Sequence, residues 1–201
     1  MTAETPPLSP DLLLSAYAGG YFPMADGAGG EIGWYSPDPR AILPLDSLHV
    51  PKTLARRLRS GQFSVTADSA FAAVIAACAR RKETWISPEI IDAYTDLHRR
   101  GFAHSVECRM GGKLAGGLYG VALGGAFFGE SMFSVRTDAS KVALVRLVEI
   151  LREGGFTLLD IQFLTPHLAK FGAVEIPRTE YLRRLGGTLR LNGKFGESRP
   201  I

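Results

Sequence analysis

The chain has few of the residues from which covalent or thiolate-metal scaffolds are built. Its 201 residues include two cysteines, Cys78 and Cys108, which are far apart and form no CxxC pair. We therefore expect no disulfide framework and no thiolate zinc site, and this cysteine usage fits a reducing compartment. The N-terminal segment is neither basic nor apolar, so we expect no signal peptide. Because no apolar run is long enough to cross a bilayer, we expect a soluble, cytoplasmic protein.

Several catalytic motifs are also missing. The four histidines are scattered and no HExxH occurs, so the spacing predicts no metal site. The chain has no GxxxxGK(S/T) phosphate loop, and no GxGxxG leads into a helix. It also lacks the segment with which acetyl-CoA enzymes hold pyrophosphate. Residues 129–133 begin like a G-x-S-x-G elbow but lack the last glycine, which disfavours Ser131 as a nucleophile.

The residues that are present are typical of a globular α+β protein. The length suggests one domain, or one with a small appendage. A composition of 46% hydrophobic and 21% charged residues is ordinary for a globular protein with a core. The net charge of +3 is compatible with a polyanion partner but does not prove one. Closely spaced prolines before residue 40 exclude a helix and predict a rigid turn. Near this turn we place a boundary between a small N-terminal subdomain, 1–40, and the remainder, 41–201. Periodicity and turn signals predict a three-stranded meander, a helix and an apolar strand at 103–110, 113–121, 126–134, 140–153 and 156–164.

Local signals also predict how individual elements begin and end. Ser9 followed by Pro10 is typical of a helix N-terminus. Asp68 is expected to cap the apolar helix that follows it. From Gly186 onward the tail lacks a clear pattern, and we expect it to be loose.

Three polar residues stand out because they lie in otherwise apolar strands. Glu130 lies between Phe128 and Met132, where a carboxylate is costly to bury unless it is paired. Asp160 and Gln162 are two residues apart on a strand, so their side chains face the same side. The residues alone leave two interpretations equally open: a buried polar network that rigidifies the core, or a functional site.

A basic helix at 51–60 is a further candidate. Taken alone, its charges favour a solvated face over a phosphate-contacting surface. Its cations are Lys52, Arg56, Arg57 and Arg59.

Over residues 11–181 the chain resembles the leucyl/phenylalanyl-tRNA–protein transferases, bacterial enzymes of the N-degron pathway. The resemblance rests on long segments whose order and spacing agree with the family. These segments are WYSPDPRAIL (34–43), TWI (84–86), AYTDLHRRGFAHSVE (93–107), GGLYGV (116–121), FFGESMFS (127–134), ASKVAL (139–144), LLDIQF (158–163) and HLAKFGAVEIPRTEYL (167–182).

The resemblance implies a fold and a reaction. The family has a small N-terminal subdomain and a C-terminal, N-acetyltransferase-like (GNAT-like) domain. It transfers Leu or Phe, and less well Met, from aminoacyl-tRNA to the α-amino group of proteins that begin with Arg or Lys. The new N-terminal residue marks the protein for proteolysis. Because the donor is an activated ester, no cofactor is expected, and nothing in the sequence demands more than a monomer.

The resemblance also implies roles for single residues. Asp160 and Gln162 match the family's proposed catalytic pair, and a neutral amide is so poor a base that Asp160 is favoured as proton acceptor. Glu130 matches a residue that contacts the donor's aminoacyl group, in our interpretation at its α-ammonium. The apolar donor pocket corresponds to Leu118, Phe127, Met132, Leu144 and Leu159.

Other matched residues imply contacts with the tRNA. Trp85 and Tyr94 correspond to residues that hold the terminal adenosine, with Tyr17 assisting. Within the resemblance, the basic helix is interpreted as an acceptor-stem contact. Met24 stands where the family usually has Trp, which weakens the expected aromatic contact.

Two hypotheses of other classes remain open at this point. A small-molecule acetyltransferase would need to bind acetyl-CoA, and the missing pyrophosphate segment argues against it. A tRNA-binding module without catalysis would be indifferent to the charged amino acid and would tolerate Asp160→Ala.

Overall fold

The computed structural model describes residues 8–27, 29–81 and 83–196. Its centre is a seven-stranded sheet with strand order β4-β5-β6-β7-β8-β3-β9, beside a separate β1–β2 ribbon. The strands are β1 (Phe22–Ala25), β2 (Ile32–Tyr35), β3 (Arg40–Ile42), β4 (Ser64–Ala67), β5 (Ala103–Met110), β6 (Lys113–Leu123), β7 (Ala126–Ser134), β8 (Leu158–Gln162) and β9 (Val174–Ile176). The α+β class and the predicted meander are confirmed. Strand β3 begins at Arg40 and belongs to the large sheet, so this sheet begins where the boundary between the two parts of the chain was predicted. The boundary itself stays a prediction.

Helices cover both faces of the sheet. They are α1 (Pro10–Ala18), α2 (Lys52–Arg59), α3 (Phe71–Ala79), α4 (Pro88–Arg99), α5 (Ala139–Glu153), α6 (Pro166–Ala169) and α7 (Arg178–Thr188), with a short 3-10 turn at Leu45–Ser47. Successive strand residues point to opposite faces, so Phe127 and Phe128 enter two different cores. One core holds α2, α5 and α6, and the other holds α1, α3, α4 and α7. In the described part of the chain, no helix is both long and apolar enough to cross a membrane.

The N-terminus of α1 confirms one local prediction and that of α3 contradicts another. Ser9 accepts a hydrogen bond from Leu12 N, with Pro10 in the first turn. Asp68 does not cap α3, because its backbone is left-handed (φ 55°) and its carboxylate accepts from Ser105 N at 2.8 Å instead. The N-terminus of α3 is met by Glu107 of β5, a buried carboxylate that accepts from Ala70 N at 3.3 Å. A carboxylate suits this end of a helix because the unpaired N–H groups carry partial positive charge.

The expectation of a loose tail is wrong as far as residue 196. Helix α7 continues to Thr188, and the segment after it contacts the turn between β6 and β7, where Gly193 N donates to Gly124 O at 3.1 Å. Lys194 N donates to Gly154 O at 2.9 Å. The ring of Phe195 stacks on His104, with 4.2 Å between centroids. Sequence reasoning missed this docking because its partners lie at distant positions in the chain.

Candidate active site

The strongest candidate site is a cavity at the point where two central strands stop pairing. Strands β7 and β8 are parallel neighbours, and their register ends at Phe128↔Asp160. Directly beyond this pair a cavity of about 290 Å³ opens, lined by residues 129–132 and 161–163 among others. Its size is close to the lower end of small-ligand pockets, about 300 Å³.

Glu130 enters this cavity because of a β-bulge. Across β6 and β7, Gly129 pairs with Gly120 and Ser131 pairs with Tyr119, so Glu130 is the extra residue without a partner. Bulges re-aim a side chain and are frequent next to active sites. A Cβ on Gly120 would lie 2.2 Å from Phe128 O, so the close strand approach at the bulge needs glycine there. The glycine-rich strand pattern therefore marks a real irregularity.

The Glu130 carboxylate is held by neutral donors. Oε1 accepts from the Tyr17 hydroxyl at 2.7 Å and from Gln162 Nε2 at 3.1 Å. Desolvation by burial raises the pKa of Glu130 to about 8, although the hydrogen bond from Tyr17 opposes this shift. This carboxyl group therefore holds its proton near neutral pH and would release it on pairing with a cation.

Asp160 lies behind the cavity wall rather than in it. Its carboxylate and the guanidinium of Arg40 are both fully buried and form a two-point ion pair, with Nε–Oδ1 at 2.9 Å and Nη2–Oδ2 at 2.7 Å. Tyr181 also donates to Oδ2 at 2.7 Å. The fork of a guanidinium matches two carboxylate oxygens and fixes them in one orientation. Asp160 is thus already engaged by strong donors, away from the space a substrate would occupy.

Gln162 links Asp160 to the cavity. Its backbone N donates to Asp160 Oδ1 at 2.9 Å, and its side chain lines the cavity. Its φ of 57° places it in the left-handed region. Such strain in a residue other than glycine is uncommon and clusters at functional sites. The fixed carboxylate of Asp160 therefore stabilises the strained turn that aims Gln162 at Glu130.

The predicted donor-pocket residues divide into two groups. Leu118, Met132 and Leu144 line the cavity. Phe127 and Leu159 are fully buried in the adjoining core and are not among the lining residues. They pack behind the wall that the first three residues form.

The aromatic residues predicted to hold adenosine also lie in different environments. Trp85 borders this cavity and two neighbouring ones, one of which Met24 also lines. Tyr17 and Tyr94 are fully buried, and their hydroxyls contact each other. Since Tyr17 donates to Glu130, these two tyrosines contact the site through their hydroxyl groups and the Glu130 carboxylate. Neither ring has an exposed face on which a base could stack.

The basic helix α2 packs on the same hydrophobic core as the leucines that line the cavity. It packs against α5, whose Leu144 lines the cavity. Arg57 is half-buried and tied to Gln62 at 2.6 Å and to Asp138 at 3.6 Å. The exposed cations of this helix are Lys52, Arg56 and Arg59.

Sequence reasoning gave no role to several residues at the site. Arg40 was visible only as the last residue of a proline-rich turn, although a cation entering an apolar strand could have been matched with Asp160. Tyr181 carried no local signal. Arg81, which donates to the carbonyl of Met132 at the cavity wall, was visible only as part of the basic run at 80–82. Among the described residues, no three metal-ligating side chains lie close enough together to hold an ion.

Comparison with known proteins matches the chain to one family. A sequence model of leucyl/phenylalanyl-tRNA protein transferases matches residues 42–186, and a model of that family's N-terminal domain matches residues 7–38. A leucyl/phenylalanyl-tRNA–protein transferase of Rubrobacter xylanophilus is 64% identical over 94% of this chain and 98% of that protein. The same enzyme of Salinibacter ruber is 61% identical over 89% of this chain and 79% of that protein.

Similar solved structures are more distant. A GCN5-related N-acetyltransferase from Kribbella flavida covers 75% of this chain and 53% of its own, at 19% identity and a TM-score of 0.43. The L-PGS structure from Bacillus licheniformis covers 75% of this chain and 51% of its own, at 14% identity and a TM-score of 0.46.

Proposed function

Because this chain belongs to the leucyl/phenylalanyl-tRNA–protein transferase family, we propose that the cavity between β7 and β8 is where it performs that family's aminoacyl transfer. An amine of the acceptor protein attacks the carbonyl carbon of the aminoacyl ester. The C–N bond forms, the C–O bond to the ribose breaks, and the proton lost by the amine ends on the ribose oxygen, which leaves as a hydroxyl. The hydrogen bonds that link the buried Asp160 through Gln162 to Glu130, of which the last two line an apolar cavity, are the observation that carries this assignment.

The donor side chain occupies the apolar part of the cavity. Leu118, Leu144 and the flexible Met132 form its wall, which suits Leu, Phe and Met. An apolar pocket discriminates by only about 1–3 kcal/mol per methylene group, so several donors are accepted. Phe127 and Leu159 shape this wall from behind. Trp85, at the edge of the cavity, provides a stacking surface for the terminal adenosine, a contact of about 1–3 kcal/mol.

Glu130 binds the α-ammonium group of the donor. Its carboxyl faces the cavity and keeps a proton near neutral pH, since burial raises its pKa to about 8. An arriving ammonium favours the carboxylate and restores the charge pair. Tyr17 and Tyr94 hold this carboxyl in place from the core side.

Gln162 orients the attacking amine, and Asp160 positions Gln162. Because Nε2 of Gln162 donates to Glu130, its Oε1 remains as the acceptor for an amine N–H. An α-amino group has a pKa of about 7.7–8.0, so part of it is neutral at pH 7 and needs positioning more than activation. The full burial of Asp160 and its pairing with Arg40 support a positioning role, in place of the proton-acceptor role favoured on chemical grounds alone.

The partners follow from the reaction. The donors are Leu-tRNA and Phe-tRNA, with Met-tRNA used less well, and the acceptors are proteins that begin with Arg or Lys. Their extension marks them for N-degron proteolysis. The exposed cations of α2 contact the acceptor stem, and this part of the affinity falls as salt rises. The enzyme works in the cytoplasm, where charged tRNA is present.

The test is transfer of labelled leucine from Leu-tRNA to a peptide that begins with Lys, beside one that begins with Ala. We expect labelling of the Lys peptide only, and loss of labelling in Gln162→Ala. Binding of Leu-tRNA by the variant checks that its fold and donor site persist. Equal labelling of both peptides, or full activity of Gln162→Ala, would contradict the assignment.

A further inference from the structure

Three tyrosines surround Glu130, and the third has no assigned role. Tyr17 donates to the carboxylate at 2.7 Å, and the Tyr94 hydroxyl contacts that of Tyr17. Tyr119 is also fully buried and is part of the cavity wall. Its hydroxyl has no hydrogen-bond partner among the described residues. It is therefore a buried polar group without a described protein partner, on a residue that lines the cavity.

Such a hydroxyl is costly, so its presence needs a reason. Leaving a buried donor or acceptor unsatisfied costs about 1–3 kcal/mol. The ring of Tyr119 packs edge-on against Phe71 at 5.9 Å and Tyr94 at 5.7 Å between centroids. A phenylalanine at this position would keep both ring contacts and avoid the cost of the hydroxyl. Packing therefore accounts for the ring of Tyr119, but it does not account for the hydroxyl oxygen.

The chemistry around the hydroxyl favours a cationic partner. Tyr119 pairs across the strands with Ser131, directly beside the bulged Glu130. Burial, reinforced by the nearby charge of Glu130, raises the pKa of Tyr119 well above 10, so its hydroxyl stays neutral and keeps its lone pairs. An ammonium group carries several N–H donors. Oε1 of Glu130 already accepts from Tyr17 and Gln162, so Oε2, which Tyr94 meets at 3.4 Å, is the oxygen left for a bound ammonium. The other N–H groups of that ammonium need further acceptors.

We propose that the Tyr119 hydroxyl accepts a hydrogen bond from the α-ammonium group of the donor aminoacyl ester, beside Glu130. This inference rests on the proposed function of the cavity. It makes Tyr119 a specificity residue, because acyl groups without an α-amino group gain nothing from its hydroxyl. The substrate completes a hydrogen bond that the protein alone leaves open.

Tyr119→Phe tests the proposal with two ligands. The first is leucyl-adenosine with an amide in place of the reactive ester, and the second is its des-amino analogue, which lacks the α-ammonium group. We expect the variant to bind the first ligand about 10- to 100-fold more weakly, as for a hydrogen bond to a charged group, and the second ligand as the parent protein does. Calorimetric titration measures both affinities.

The melting temperature of the free protein is the second readout. Since no protein partner is lost, Tyr119→Phe should melt at the same or a higher temperature than the parent. Tyr21→Phe, which removes a hydroxyl from a ring that is 46% exposed, is the control for both measurements.

Two results would overturn the proposal. Equal weakening with both ligands would show that the hydroxyl contacts another part of the substrate. Unchanged binding with a lower melting temperature would show that it is satisfied inside the protein. Failure of the parent protein to bind the leucyl ligand and to transfer leucine would instead refute the proposed function, so the two failures are distinguishable.

Discussion

Replacing Glu130 by glutamine is expected to stabilise the folded protein increasingly as the pH rises from about 5 to 8. Burial raises the pKa of this carboxyl from 4.5 to about 8 in the folded state. Between these two values the unfolded chain releases the proton while the folded protein keeps it. Ionisation therefore favours the unfolded state, and this contribution to stability falls as the pH rises, then levels off above about pH 8.

The size of the effect follows from the pKa shift. One pKa unit corresponds to about 1.4 kcal/mol. The interval from the unfolded pKa of 4.5 to pH 7 thus amounts to about 3 kcal/mol of lost stability in the parent protein. Glu130→Gln has no such ionisation, and its amide oxygen can still accept from Tyr17 and Gln162. Its advantage in free energy of unfolding should therefore reach about 3 kcal/mol at pH 7.

Urea denaturation between about pH 5 and pH 9 measures this difference. Glu153→Gln, which removes an exposed carboxyl from α5, is the matched control. Leucine transfer by Glu130→Gln should be lost, because an amide cannot pair with the donor's ammonium charge. If the gain in stability were the same at every pH, or declined as the pH rises, the reasoning about the buried carboxyl would be wrong.

Three other predictions concern the neighbouring residues. Arg40→Ala and Asp160→Ala should each lower the free energy of unfolding by about 3–5 kcal/mol, because each leaves a buried charge without its counter-ion; the double variant should lose less than their sum. Gln162→Gly should be about 1 kcal/mol more stable than Gln162→Ala, because glycine adopts the left-handed backbone without strain. Met132→Ala should widen the cavity and shift donor preference from Leu towards Phe by about tenfold in relative kcat/KM.

Each of these predictions has a result that contradicts it. Additive losses in the Arg40 and Asp160 double-mutant cycle would mean that the two charges are not coupled. Equal stability of the two Gln162 variants in urea would mean that the left-handed backbone carries no strain. An unchanged ratio of Leu to Phe transfer in Met132→Ala would remove Met132 from the donor pocket.

Much of the fold was accessible from local patterns. The meander from Ala103 to Ser134 follows from strand periodicity interrupted by glycine pairs, and the structure has those strands. The Ser9 cap of α1 was predicted correctly because such a cap involves only residues within one turn. The Asp68 cap failed because the group that meets α3 is Glu107, on a strand that local rules do not connect with that helix.

The candidate site was accessible only in part. Glu130, Asp160 and Gln162 were visible as polar residues in apolar strands, and the structure joins all three through hydrogen bonds. The sequence did not show which of these residues reaches the cavity and which only positions another. Periodicity placed Asp160 and Gln162 on one face, yet Asp160 is engaged by Arg40 while Gln162 reaches the cavity, because the backbone at Gln162 turns left-handed.

The sequence by itself determined the chemical class of the protein. This class follows from the missing motifs, the strand and helix periods and the long matched segments. All of these depend only on the order of residue types along the chain, and a sequence carries that information directly. Only the tertiary structure decided which groups meet. Arg40 pairs with Asp160 across 120 positions, and the buried Tyr119 hydroxyl is left without a partner among the described residues. Such outcomes depend on how distant elements pack, since desolvation, charge pairing and strain arise only once water has been excluded between them.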